Sequence, residues 1–165
     1  DSLGPFRWSP PEAPGFALPD AKGETVSLAD YQGRPVLVIY FLGRGCTHCM
    51  EQLNAFAPLV EEYRDAGIEI VAVSTDSVEG LAETFRESED GRSPFPFPLL
   101  SDQSLEHFRS WRAYDDFEEM ALHGTFLVDG GGRIRWQDIS YEPFMHPGWL
   151  LAECRRLLAM DEPES

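Results

Sequence analysis

Two apolar runs of strand length, separated by one helical segment, constrain the fold of this chain more than any other feature. The first is RPVLVIYFLG at residues 34–43, and the second is IEIVAVST at residues 68–75. Continuous runs rich in Val and Ile indicate strands that are covered on both faces. Because no hairpin turn lies between them, we predict a parallel βαβ unit with a right-handed crossover.

The segment between the two predicted strands has apolar residues at helical spacing, namely Leu53, Phe56, Leu59, Val60 and Tyr63. Pro58 interrupts this pattern, and proline removes a backbone donor inside a helix, so we predict a kink there. Gly67 is predicted to end the helix.

The second half of the chain predicts a helix over about 77–86, a proline-rich loop, a short strand, a helical stretch over 103–112 and then a hairpin. The hairpin is TFLVDGGGRIRWQDI, with its turn at Gly130–Gly132, and a last helix begins near Pro147. The acidic stretch between the helical stretch and the hairpin is predicted to be a solvated helix. This order of elements predicts an α/β protein with a thioredoxin fold, three α/β/α layers around a mixed central sheet.

We predict two parts along the chain. Residues 1–14 contain four prolines and are expected to form an extended arm or linker. Residues 15–162 are expected to form one thioredoxin-like domain, because a chain of 165 residues is the usual size of a single domain.

The net charge of −16 and the pI of about 4.4 argue against binding to nucleic acid or to anionic membrane surfaces. No stretch approaches the roughly 20 apolar residues of a membrane span, so membrane insertion is not expected. Asp1 is not a methionine, which leaves room for a removed signal sequence or a longer parent chain. The sequence therefore leaves the location open between the cytoplasm and, if a signal sequence was removed, the periplasm.

Cys46 and Cys49 stand three positions apart, where the first buried strand gives way to the helix. Backbone N–H groups and the helix dipole at such a position favour the thiolate, which is the nucleophile of disulfide exchange. The plainer interpretation is two small buried hydrophobic residues. A structural zinc site would need a second ligand pair, which the spacing of the histidines does not supply.

The segment APGFALPDAKGETVSLADYQGRPVLVIYFLGRGCTHCMEQL, together with TFLVDGGGRIRW, resembles the redoxin superfamily. That superfamily joins the alkyl hydroperoxide reductase and thiol-specific antioxidant (AhpC/TSA) proteins, or peroxiredoxins, with thioredoxin-like thiol–disulfide oxidoreductases. The resemblance covers nearly the whole chain. It implies a central sheet flanked by helices, with the cysteines at an exposed edge.

Two departures make the chain an atypical member with a CxxC motif. Setting Cys49 as the peroxidatic cysteine of the PxxxTxxC signature places Cys46 at the threonine and Leu42 at the proline. Six residues before Asp129, where peroxiredoxins have an arginine and thioredoxin-like members a cis-proline, this chain has His123. We therefore expect weak peroxidase activity or none.

The resemblance implies a thiol–disulfide oxidoreductase in which Cys46 attacks and Cys49 resolves. His48 is expected to tune the thiolate, and His123 to shape the site from across the sheet. No organic cofactor and no metal are implied. The expected partner is a thiol or disulfide protein, or a small thiol reductant.

Three alternatives stay open. One is a thiol peroxidase with Cys49 as the peroxide-reactive residue. Another is a copper-binding domain similar to the Sco chaperones, with Cys46, Cys49 and His123 as ligands, although those proteins space their cysteines by three residues. The last is an interaction domain that keeps the motif as a structural disulfide. Cys154, set among leucines, is predicted to be a core residue. An apolar wall beside the site is one interpretation of Tyr141, Phe144, Met145 and Trp149, but we predict instead that these residues seat the last helix.

Overall fold

A five-stranded mixed sheet forms the centre of the molecule, and its strands lie side by side in the order Leu99–Ser101, Glu69–Ser74, Val36–Phe41, His123–Val128 and Ile134–Ser140. The computed structural model describes residues 10–43, 47–87 and 94–160, without the side chains of residues 47–49. The strands are β1 (Ala17–Pro19), β2 (Thr25–Ser27), β3 (Val36–Phe41), β4 (Glu69–Ser74), β5 (Leu99–Ser101), β6 (Tyr114–Asp115), β7 (Met120–Ala121), β8 (His123–Val128) and β9 (Ile134–Ser140). The helices are α1 (Thr47–Phe56), α2 (Val60–Asp65), α3 (Val78–Arg86), α4 (Glu106–Ser110) and α5 (Pro147–Ala159).

The predicted βαβ unit is confirmed. Strand β3 pairs with β4 in parallel, with Val36 opposite Glu69 and Phe41 opposite Ser74. Strand β8 pairs antiparallel with β3 on the other side, and β9 pairs antiparallel with β8. The sheet is therefore mixed, as the order of elements predicts.

Strand β3 is buried along its whole length because both faces of the sheet are covered. Alternate residues such as Leu37 and Ile39 belong to a core shared with Leu53 of α1 and Leu151 of α5. The intervening residues, such as Tyr40, belong to a second core on the opposite face. This double burial explains why the run is continuous in sequence rather than alternating.

The predicted kink at Pro58 is confirmed as a break in the helix. Helix α1 ends at Phe56, a 3-10 turn spans Ala57–Leu59, and α2 continues from Val60. Gly67 follows with φ +81°, the left-handed conformation that terminates helices.

The acidic stretch before the hairpin is not a helix, so that prediction was wrong. It forms a second small hairpin in which Tyr114 pairs with Ala121. The Asp115 carboxylate accepts the backbone N–H groups of Phe117 at 2.9 Å and Glu118 at 3.0 Å. An aspartate that bonds to the backbone two residues on stabilises a turn at the expense of a helix.

The N-terminal region contacts both edges of the central sheet. Near β9, the Ile134 N–H donates to the carbonyl of Pro11 and the Ala13 N–H donates to the carbonyl of Gly132, both at 2.8 Å. At the other edge, Asp20 bridges antiparallel to Leu100 of β5. The division into an arm of residues 1–14 and a domain of residues 15–162 stays a prediction. Within the residues that the structure describes, no helix is long and apolar enough to cross a membrane.

Candidate active site at the first turn of α1

In the sequence, the two cysteines of the motif follow the carboxyl end of β3. Strand β3 ends at Phe41 and α1 begins at Thr47, directly after Cys46 in the sequence. Cys46 lies outside the described residues, and His48 and Cys49 are described by the backbone of the first turn of α1 alone. The roles of these three side chains therefore stay predictions, while the start of the helix agrees with the sequence analysis.

The chain that leads to the motif is held by residues that follow β4. Thr75 Oγ1 donates to the carbonyl of Leu42 at 2.9 Å. Gly43 has φ +92°, and a Cβ atom placed there would lie 2.8 Å from Asp76 Oδ1 and 3.0 Å from Thr75 Oγ1. Only glycine satisfies both the conformation and the space at this position.

Asp76 is itself fixed by serines at the ends of two strands. Ser74 Oγ donates to Asp76 Oδ2 at 2.9 Å, and Ser101 Oγ donates to the carbonyl of Asp76 at 2.7 Å. The segment before the cysteines thus rests on a hydrogen-bonded support from β4 and β5. Sequence reasoning missed this support, although STDS directly after a buried strand was its visible signal.

His123 is the first residue of β8 and is 4% exposed. Its neighbour Gly124 pairs with Tyr40, near the end of β3, and His123 pairs with Ser140 at the end of β9. His123 therefore lies at the end of the sheet where β3 stops and the chain continues into the motif, while its predicted role beside the cysteines stays a prediction.

The face on which His123 lies follows from Thr125, two residues further along β8. Thr125 Oγ1 accepts a hydrogen bond of 3.2 Å from Gln52 Nε2 of α1. Residues two apart in a strand share a face, so His123 faces the α1 layer. His123 lies two strand residues, or about 6.8 Å, before Thr125 along β8. Cys49 lies about one helical turn, or about 5.4 Å, before Gln52, the residue of α1 that contacts Thr125. His123 is thus roughly level with the turn that holds Cys49.

Gln52 and Thr125 are both buried, and sequence reasoning did not single them out. Gln52 is 0% exposed, and among the described residues its Oε1 atom has no hydrogen-bond partner. A glutamine on the buried face of a helix rich in apolar residues was the available signal. The pair fixes α1 against β8 beside the candidate site.

A surface pocket of about 360 Å³ adjoins this region. It is lined by Glu51, Asp138, Ser140, Glu142, Pro143, Phe144, Met145 and His146. In the β8–β9 register Asp138 lies opposite Thr125, so both side chains lie on the α1 face of the sheet. Burial raises the pKa of Asp138 above its ordinary value. We name this the acidic pocket; the sequence analysis did not predict it.

Another pocket, of about 310 Å³, lies at the opposite end of the sheet. Its lining includes Val36, where β3 begins, and Val128, where β8 ends. Among the described residues that line this pocket, none belongs to the predicted site.

Cys154 is 0% exposed within the core beneath α5, which confirms the prediction that it is a core residue. Burial raises the pKa of its thiol to about 12. It is therefore a thiol, and not a thiolate, at neutral pH.

Over residues 10–43, 47–87 and 94–160, no three His, Cys, Asp or Glu side chains are grouped so that they could hold a metal ion. The alternative copper set of Cys46, Cys49 and His123 includes two side chains outside that description, so it stays a prediction.

These elements define a redoxin, with a βαβ unit, a cysteine motif at the start of α1 and a hairpin that completes the sheet. Residues 11–137 match the model of the AhpC/TSA family. The chain belongs to the AhpC/TSA family of thiol-dependent redoxins, which confirms the resemblance drawn from its sequence.

The relatives bear peroxiredoxin names. The chain is 37% identical over 129 residues to a candidate peroxiredoxin of Mycobacterium tuberculosis, covering 74% of this chain and 79% of the relative. It is 34% identical over 132 residues to peroxiredoxin Bcp of Escherichia coli, with the same coverage.

Two solved structures confirm the thioredoxin-type fold. Peroxidoxin BcpB from Mycobacterium tuberculosis superposes with a TM-score of 0.74 at 19% identity, covering 93% of this chain and 97% of that structure. Reduced 2-Cys peroxiredoxin from Plasmodium vivax superposes with a TM-score of 0.78 at 16% identity, covering 91% and 96%.

Proposed function

We propose that the protein is a thiol–disulfide oxidoreductase that works through Cys46 and Cys49. The observation that carries the proposal is the place of the motif. The two cysteines flank the start of α1, directly after the buried strand β3, at the sheet edge where His123 begins β8. A helix N-terminus stabilises a thiolate by its dipole and its unpaired N–H groups.

In the proposed reaction the Cys46 thiolate attacks one sulfur of a partner disulfide. A mixed disulfide forms, and the other partner sulfur leaves as a thiolate that takes up a proton. Cys49 then loses its proton and attacks the Cys46 sulfur, which releases the second partner thiol and leaves a Cys46–Cys49 disulfide. A thiol protein or a small thiol reduces that disulfide and closes the cycle.

His123 has a role in this proposal as a positioning and protonating group. In this proposal the imidazole shares a proton with a cysteine sulfur, directly or through one water, and its position on the α1 face, roughly level with the first turn, supports that role. His48, inside the motif, is assigned a second favourable interaction with the Cys46 thiolate. Both interactions stabilise the reduced pair and so make the couple more oxidising.

A second candidate function is peroxide reduction, and the peroxiredoxin names of the relatives favour it. Here Cys49 is the peroxide-reactive residue. Its thiolate attacks one peroxide oxygen, the other oxygen leaves as water or an alcohol after protonation, and Cys49 becomes a sulfenic acid. Cys46 then condenses with that acid to give a disulfide and water.

The second candidate ranks lower because this chain lacks two polar supports of peroxiredoxin chemistry. The threonine of the signature is replaced by Cys46, and the arginine is replaced by His123. Preorganised donors that stabilise the charge developing on the leaving oxygen commonly contribute about 10²-fold or more in rate.

Stopped-flow kinetics of the reduced protein separates the two candidates. We expect fast oxidation by a peptide disulfide and slow oxidation by hydrogen peroxide. Cys46→Ser should abolish disulfide exchange, while Cys49→Ser should trap the mixed disulfide. Cys154→Ser is the matched control and should behave like the parent chain. Fast peroxide oxidation that survives Cys46→Ser and is lost in Cys49→Ser would replace the first candidate with the second.

A further inference from the structure

Large exposed apolar side chains lie in the β6–β7 hairpin, directly after β9 and in the first turn of α5, where the ring of Trp149 lies 6.2 Å from that of Trp136 of β9. Among the described residues with large exposed apolar side chains, Phe117 is 91% exposed, Tyr141 is 59% exposed and Trp149 is 56% exposed. Phe117 lies at the tip of the β6–β7 hairpin just before β8, and Tyr141 directly follows β9. Trp149 lies in the first turn of α5. Scattered apolar residues are ordinary on a protein surface, but several of them around one pocket indicate an interaction surface.

Contacts connect these residues in two groups, and the acidic pocket lies between the groups, since Ser140 and Glu142, on either side of Tyr141, line it together with Phe144. The Tyr141 hydroxyl donates to the Asp115 carboxylate, and the same carboxylate accepts the backbone N–H of Phe117. The ring of Trp149 lies 6.1 Å from that of Phe144, measured between centroids. Phe144 in turn lines the acidic pocket. We call Phe117, Tyr141, Met145 and Trp149 the aromatic rim, with Met145, also exposed, between the pocket and α5.

The acidic pocket links this rim to α1. Glu51, two residues after Cys49, lines the pocket together with Asp138 and Glu142. Among the described residues that line the pocket there is no lysine or arginine, and His146 is the sole basic residue. A ligand on the rim therefore meets negative charge within a few residues of the motif.

The tip of the β6–β7 hairpin adds to this charge, since the exposed Asp116, Glu118 and Glu119 around Phe117 outnumber Arg109, which interacts with Asp116 and Glu119. The whole chain has a net charge of −16. A second copy of the chain on this surface would bring like charges together, which costs binding energy and slows encounter. The complementary occupant has positive charge next to an apolar side chain.

We propose that the aromatic rim and the acidic pocket form the docking surface for a protein substrate whose disulfide lies beside a basic residue and an apolar residue. The inference rests on the proposed function for the exchange step, but docking on the surface needs no redox chemistry. Aromatic side chains provide most of the affinity at such surfaces because they bury a large apolar area. The carboxylates provide discrimination and a faster approach.

Binding without chemistry is the first test. Two fluorescently labelled peptides share the sequence around one Ser that replaces the reactive Cys, and they differ in having Arg-Leu or Glu-Leu beside it. Fluorescence anisotropy should show about 10-fold tighter binding of the Arg peptide, with a preference that falls as salt rises. Equal binding of the two peptides, or no binding of either, would overturn the proposal.

Variants then locate the surface. Phe117→Ala and Trp149→Ala should each weaken binding of the Arg peptide about 5-fold or more. Met160→Ala is the matched control, because Met160 is 66% exposed but lies at the end of α5 away from the rim. Phe117 is so exposed that its loss leaves the fold intact, which keeps the test valid if Trp149→Ala is unstable. An equal loss in Met160→Ala would also refute the assignment.

The same peptides with the disulfide restored separate this proposal from the proposed function. Exchange with both peptides at equal rates, without selective binding, would leave the oxidoreductase standing and remove the docking surface. Selective binding without exchange would keep the docking surface and remove the oxidoreductase. Faster exchange with the Arg peptide, lost in Phe117→Ala, is the result expected if both hold.

Discussion

Gln52 of α1 and Thr125 of β8 meet in the core, where Gln52 Nε2 donates to Thr125 Oγ1 at 3.2 Å. This hydrogen bond helps to fix the position of α1 along the axis of β8. It thereby sets which residues of α1 lie level with His123, two residues before Thr125. Replacing one member of such a buried pair with an apolar residue lowers the free energy of unfolding more than replacing both members does, because the remaining polar group is left without a partner.

Thr125→Val should lower the free energy of unfolding by about 1–3 kcal/mol, because it removes the acceptor of the buried Gln52 amide. Combining it with Gln52→Leu should recover much of that loss, which a double-mutant cycle by urea denaturation measures. Gln137→Leu, on an exposed residue of β9, is the control. Additive losses in the cycle would show that the two side chains are not coupled.

Gly43→Ala should destabilise the fold and slow thiol chemistry, because the new Cβ meets Asp76 and Thr75 and displaces the chain before Cys46. Gly23→Ala is a matched control: Gly23 has φ +81° and nothing within 4 Å of the added Cβ. Both variants carry the left-handed strain of about 1 kcal/mol, and Gly43→Ala should lose about 1–3 kcal/mol more through crowding. If Gly43→Ala and Gly23→Ala had the same midpoint temperature of thermal unfolding, the proposed steric clash at Gly43 would be contradicted.

His123→Ala should raise the pKa of the Cys46 thiol, since a neighbouring imidazolium favours the thiolate. The ultraviolet absorbance of the thiolate, measured against pH, follows the titration. His146→Ala, which changes an exposed histidine of the acidic pocket, should leave it unchanged. An unaltered titration in His123→Ala would make His123 a structural residue and would deprive the copper alternative of its third ligand.

Asp138→Asn should stabilise the protein at neutral pH relative to the parent chain. Burial raises the pKa of Asp138, so the folded state binds its proton more tightly than the unfolded state does. The stability that this group contributes is present at low pH and is lost as pH rises through the folded pKa. The advantage of the variant should therefore grow as pH rises from below about 4, the ordinary pKa of an aspartate, to neutrality.

Urea denaturation of Asp138→Asn and the parent chain across this pH range measures the difference in the free energy of unfolding. Asp65→Asn, on an exposed residue, controls for the general loss of one negative charge. The same pH dependence in both variants would assign the effect to net charge rather than to the burial of Asp138.

Cys154 should resist alkylation at mildly alkaline pH in the folded protein, because burial excludes the reagent and raises its pKa to about 12. Cys46 should be labelled first after reduction, and Cys154 only in denaturant. Peptide mass mapping after brief treatment with iodoacetamide distinguishes the three thiols. Early labelling of Cys154 would show that the core beneath α5 opens readily.

The sequence predicts the layers of this fold well because burial on both faces leaves a continuous apolar pattern in β3 and β4. The break at Pro58 and the end at Gly67 were equally predictable, since each follows from the backbone chemistry of one residue. The acidic hairpin was not, because its turn depends on how the Asp115 carboxylate bonds to backbone groups, which charge patterning does not reveal.

The candidate site was predictable only in part. The position of His123 followed from counting along a recognisable strand, and in the structure His123 begins β8. The acidic pocket depends on the register between β8 and β9, which sets Asp138 opposite Thr125. The support under Gly43 depends on two strands meeting side by side. Neither relationship is local in sequence.

The contacts of the N-terminal region have a consequence for association of the protein with itself. A sheet that ends in unpaired strands offers its free N–H and C=O groups to any other strand, which is a common route to aggregation. Here one short stretch, from Pro11 to Asp20, reaches both outer strands, at Ile134 and at Leu100. Losing that stretch would uncover part of both outer strands at once, and we expect the chain without it to associate more readily through those strands.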